Sequence, residues 1–195
     1  MRFEKVINGI ERHKQFAKPG EVVENIISQN WDREFYICYM KVDVHENVAS
    51  LDLFSFTPVD VIFDGVTYNG WQIAPKTGIA LSGKITLPAF YKGTPVVEVG
   101  CFANQRITHV FWEGGCQLRR VYGSGSNTSA FSRCSALEYF EFPETLLQIS
   151  DYGFNGTAFT TLKFNNGLKK IGNAVFQGMT GTVTSIQFPG SVTYI

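Results

Sequence analysis

Five segments of the chain share one alternation of apolar and polar positions: Ile85-Thr86-Leu87-Pro88, Val110-Phe111-Trp112-Glu113, Phe140-Glu141-Phe142-Pro143, Leu162-Lys163-Phe164-Asn165 and Ile186-Gln187-Phe188-Pro189. Each reads apolar, any residue, apolar, then a residue that ends a strand. They start 25, 30, 22 and 24 residues apart. A period within roughly 20–50 residues marks a solenoid, whose copies bury their apolar sides only against one another. A second signature accompanies the first. Val97 and Phe102, Ile149 and Phe154, and Ile171 and Phe176 each pair an aliphatic residue with a phenylalanine five positions later. Val121 and Phe131 stand ten apart, with Gly123-Ser124-Gly125-Ser126-Asn127 as the added five. That insertion also accounts for the 30-residue interval. Ile107, Leu137, Phe159 and Val183 add one linker apolar position per copy. The pattern predicts parallel strands in about five rungs around one core, and it explains the 17 phenylalanines.

Upstream the periodicity changes. Phe3, Val6, Ile7 and Ile10 fall at the i, i+3, i+4, i+7 spacing of an amphipathic helix. After Pro19-Gly20, the residues Val22, Val23, Ile26 and Ile27 repeat that stripe and predict a short second helix. Glu34–Val44 and Val48–Phe56 are rich in β-branched and aromatic residues and predict strands turned by His45-Glu46-Asn47. Residues 1–57 thus predict a small α+β unit, a candidate docking domain. From Pro58 onward, Asp64-Gly65 and Asn69-Gly70 are hairpin signals, because both supply positive φ. Residues 58–84 are expected to form a β-meander covering the open end of the first rung. The repeats occupy 85–195. Ser191–Ile195 matches the stretch Thr145–Ile149, so the array stops in mid-repeat, predicting either a longer native chain or a subunit that covers the end.

Composition narrows the function. With 44% apolar residues, 17% charged and a formal net charge of zero, the chain is a folded globular type. It lacks the basic bias expected of a nucleic-acid or anionic-membrane partner. No run reaches the ~18 apolar residues of a membrane span, and Met1–Lys5 lacks the apolar segment of a secretory signal. The cysteines Cys38, Cys101, Cys116 and Cys134 form no C-x-x-C pair and have no histidine at zinc-ligand spacing. They read as small apolar core residues, with a disulfide from Cys101 to Cys116 or Cys134 left open. His13, His45 and His109 lie in separate segments, and no nucleophile elbow or paired-acid motif occurs. The Gly-Ser run at 123–129 lacks the lysine of a phosphate-binding loop and reads as a flexible insertion. No metal, cofactor or catalytic residue is predicted. Asn127-Thr-Ser and Asn155-Gly-Thr fit a glycosylation pattern that is frequent by chance.

Phe131-Ser132-Arg133-Cys134-Ser135-Ala136-Leu137, Phe142-Pro143-Glu144-Thr145-Leu146 and Ile171-Gly172-Asn173-Ala174-Val175-Phe176 resemble the leucine-rich repeats of bacterial BspA-type surface proteins. The resemblance covers 85–195. It implies a parallel-stranded horseshoe and a role in adhesion and protein binding. Departures occur where Glu113 and Asn165 replace a strand-ending proline, and where Gly153 or Val175 replaces the alanine before phenylalanine.

Strand alternation then selects the candidate surface. If the repeated apolar pairs face inward, Lys84, Thr86, His109, Phe111, Tyr139, Glu141, Thr161, Lys163, Ser185 and Gln187 face out. Rungs lie about 4.8 Å apart, so His109, Phe111 and Tyr139 are expected to meet, with Glu141 and Lys163 alongside. These five are the candidate binding residues, unless the N-terminal unit covers them. The expected function is a non-enzymatic interaction or adhesion module for a protein or cell-surface ligand, working within an assembly of subunits. One alternative is a virion component, such as a phage tail or fibre protein, docked through its N-terminal unit. Another is a carbohydrate-active enzyme built on the solenoid. A removed signal peptide places the chain at the cell surface; its absence favours the virion.

Overall fold

The computed structural model describes residues 49–183 and 185–195, together with the backbone of eight residues near the N-terminus. The chain divides into two compact units, Met1–Glu46 and Asn47–Ile195.

In the first unit, β1 (Arg2–Phe3) pairs antiparallel with β4 (Gln15–Phe16), and β2 (Val6–Ile7) pairs antiparallel with β3 (Ile10–Glu11). At these positions the backbone is strand, where the stripe through Phe3, Val6, Ile7 and Ile10 predicts helix. Ile7 pairs with Ile10, and the residues between them in sequence are Asn8-Gly9, a strong two-residue hairpin signal. Together with β-branched Val6, Ile7 and Ile10, it outweighs the helical spacing. The helix predicted at 22–27, the strand at 34–44 and the turn at 45–47 lie outside the described residues.

The second unit begins with a 3-10 turn at Leu51–Leu53, where a strand is predicted. The Ser50 side chain accepts from the Asp52 N–H and starts this turn. The strand starts at Phe54 and runs on through Pro58 as β5 (Phe54–Phe63). It pairs along its whole length with β6 (Val66–Pro75) around Asp64-Gly65, both at positive φ (49° and 76°). Pro58 is tolerated because β5 is the edge strand of its sheet.

The second expected turn, Asn69-Gly70, does not form; β6 continues straight through it. Asn69 donates from Nδ2 to Asp60 Oδ1 at 2.6 Å across the pair. Gly70 serves close approach instead. A Cβ there would lie 2.5 Å from the Pro95 carbonyl oxygen and 2.7 Å from Val97 Cγ1. Gly70→Ala should cost about 1–3 kcal/mol, as overpacking does, read as a lower midpoint in urea unfolding.

Beyond the hairpin the chain winds as a leucine-rich-repeat solenoid with two parallel ladders. On one side, β7 (Ser82–Leu87), β10 (Arg106–Trp112) and β12 (Tyr139–Phe140) form a three-stranded parallel sheet. Its register sets Val110 against both Ile85 and Phe140, and Trp112 against Leu87, as the repeat alignment requires. On the other side, β9 (Thr94–Val99), β11 (Arg120–Val121), β13 (Gln148–Ile149) and β14 (Lys170–Ile171) continue in parallel from β6. The short β8 (Phe90–Tyr91) folds back antiparallel on β9. Four strands carry this second ladder, and a parallel bridge from Lys170 to Tyr194 extends it by one more position, in keeping with the about five rungs expected from sequence. Its register pairs Val99, not Val97, with Val121, and a bulge between Trp71 and Gln72 interrupts the β6–β9 pairing on the other side of β9. Leu162 and Phe164 pack against the core without strand pairing, while in the last copy Ile186 is only half-buried and Phe188 is exposed.

Between the ladders runs the phenylalanine spine. Phe102 and Phe131 stack at 5.2 Å, Phe131 and Phe154 at 5.4 Å, and Phe154 and Phe176 at 6.1 Å. Phe54 of the hairpin meets Phe102 at 6.1 Å, so the hairpin caps the spine with a ring of its own. Phe140, Phe142, Phe164 and Phe188 form a parallel file, with neighbouring centroids 4.9–5.5 Å apart. A further buried column, Val96, Leu118, Leu146 and Leu168, precedes each ladder aliphatic by three residues. Arg119 ties the hairpin to the turns. Its guanidinium lies 4.6 Å from the Tyr68 ring centroid, while Nη1 donates to the Thr145 carbonyl and Nη2 to Gln117 Oε1.

The insertion at 123–127 is a folded turn. Buried Ser129 accepts from the N–H groups of Ser124 and Gly125, and its hydroxyl reaches the carbonyls of Gly125 and Asp151. Cys101, Cys116 and Cys134 are free thiols. Burial pushes the Cys116 and Cys134 thiols up to about 12, while Cys101 is exposed. Only the thiolate is nucleophilic, so at pH 8 iodoacetamide should label Cys101 well before the other two. Peptide mapping of partly alkylated protein reads the order.

Candidate interaction face

The outward side of β10 and β12 is set by their inward side. Val110, Trp112 and Phe140 are drawn into the core, and strand alternation turns His109, Phe111, Tyr139 and Glu141 the other way. Parallel pairing then sets His109 directly beside Tyr139 on one flank and Lys84 on the other.

The predicted cluster of rings forms. His109 lies 6.1 Å from Phe111 and 5.9 Å from Tyr139, and Phe111 lies 5.4 Å from Tyr139. All three are half-buried. His109 Nδ1 is buried and has no hydrogen-bond partner among the described residues. Desolvation, and secondarily the charge of Glu141, raise the Tyr139 pKa, so its hydroxyl keeps its proton at neutral pH and can donate.

Glu141, the fourth candidate, is tied to the neighbouring strand. Its Oε2 accepts from the Trp112 N–H at 3.0 Å, extending the β10–β12 hydrogen bonding one step beyond the strand. Glu113 does the same one turn earlier, accepting from the Ala89 N–H at 3.2 Å. Asn165 donates to the Pro143 carbonyl at 2.6 Å. The residues that replace the strand-ending proline therefore serve as side-chain ties between turns. Lys163 stands exposed in the turn after Glu141. Thr86, expected outside, is 3% exposed, and its carbonyl accepts from the Ala49 N–H. The segment entering the hairpin thus runs beside β7 and covers this end of the outward column.

Sequence reading passed over the outward column of the other sheet. Gln72, Glu98, Arg120, Gln148 and Lys170 align across β6, β9, β11, β13 and β14. Glu98 is 1% exposed, and its two oxygens accept from Gln72 Nε2 and Arg120 Nε. Lys170 Nζ lies 4.8 Å from the Tyr194 ring centroid. The signal was present in sequence as one polar residue before each ladder aliphatic. Among the described residues, no group of three His, Cys, Asp or Glu is arranged to hold a metal ion, and no helix is long and apolar enough to cross a membrane.

Residues 125–195 match the family model described as BspA type leucine rich repeat region (6 copies). No curated protein and no solved structure matches the chain. The matched stretch contains β12, β13 and β14, and the turns from Ile85 onward continue its two ladders in register. Residues 125–195 are therefore BspA-type leucine-rich repeats.

Proposed function

We propose that this chain is a non-enzymatic recognition module that binds a partner protein at a cell surface through the outward face of β10 and β12. The observation behind this reading is the ring cluster of His109, Phe111 and Tyr139 on a sheet whose other side is locked into the core. Aromatic residues on a rigid scaffold provide contact area at small entropic cost, and binding energy concentrates on such anchors. Tyr139 supplies a hydroxyl donor beside the rings, and Lys163 an exposed cation one turn on. Catalysis is not part of the proposal. The chain's three histidines lie in separate segments, and neither Glu113 nor Glu141 is a free carboxylate, since each accepts from a backbone N–H of the preceding turn.

The test combines His109→Ala with Tyr139→Ser and measures binding to immobilised extracellular-matrix and cell-surface proteins by surface plasmon resonance. Lys170→Ala on the opposite sheet is the control. A partner that binds the parent chain should bind the double variant at least about tenfold more weakly, as loss of interface anchors does. The control should bind normally, and both variants should keep the parent melting temperature. Undiminished binding by a well-folded double variant would remove this face from consideration.

A further inference from the structure

We draw no further inference here: the strongest candidate, the apolar tip of the β5–β6 hairpin where Ile62 and Val66 on opposite faces are 63% and 50% exposed, is an unpartnered surface, and nothing in the structure shows what covers it.

Discussion

Phe154→Ala should lower the free energy of unfolding by about 3–5 kcal/mol, the range for emptying a buried aromatic site. Phe154 is fully buried and meets five other rings: Phe131 at 5.4 Å, Phe140 at 5.0 Å, Phe142 at 5.6 Å, Phe159 at 5.4 Å and Phe176 at 6.1 Å. Little can move in to fill the space. The backbone on both sides is held by hydrogen bonds between turns, from Phe131 N to the Gly153 carbonyl and from Phe154 N to the Val175 carbonyl. A domain of this size has a net stability of about 5–15 kcal/mol, so the change removes a large share of it. Phe176→Ala is the internal comparison. That ring is only half-buried and stacks on Phe154 from one side, so its loss should cost distinctly less. Urea titration of the two variants reads both values. A loss below about 1 kcal/mol for Phe154→Ala would contradict its place in the spine.

Arg120→Ala should be the next most damaging change, through charge and not volume. The Glu98 carboxylate is almost fully enclosed, and the Arg120 guanidinium is its ionic partner; the Arg120 side chain itself keeps 25% exposure. Removing the cation leaves a buried anion with only the Gln72 amide to compensate it. Breaking such a pair costs about 3–5 kcal/mol, and the partial exposure of Arg120 places the expected value at the lower end. Adding Glu98→Gln to the Arg120→Ala chain should restore most of the loss, because a neutral amide needs no counter-charge. A double-mutant cycle by urea unfolding isolates the coupling. If Arg120→Ala costs the same with and without Glu98→Gln, the arginine acts through packing alone.

The core was legible because each copy repeats the same positions. Ile85, Val110 and Phe140 align in the ladder as they do in sequence, and so do Phe102, Phe131 and Phe154 along the spine. Legibility failed where tertiary contact overrides a local signal. Asn69-Gly70 carries the letters of a tight turn, yet its glycine is needed because β9 passes too close for any Cβ. The pairing of Val99 in place of Val97 with Val121 is a register between separate strands, and no local pattern announces it. At the candidate face, alternation alone found the His109–Phe111–Tyr139 cluster. It did not foresee the tie from Glu141 to the Trp112 N–H or the burial of Thr86, because both depend on neighbours distant in sequence.

Ladder pairing also has a bearing on how such a chain can change its length. Ile149 and Ile171 occupy equivalent places in adjacent turns, 22 residues apart, and each is followed by a small residue whose N–H bonds to the preceding turn. Gain or loss of one whole turn brings like onto like and leaves every remaining stack with a neighbour. A change of any other size puts a polar residue where a ring should sit. Descent with duplication can therefore lengthen or shorten the array in whole-coil steps, while the hairpin that starts it stays unaltered.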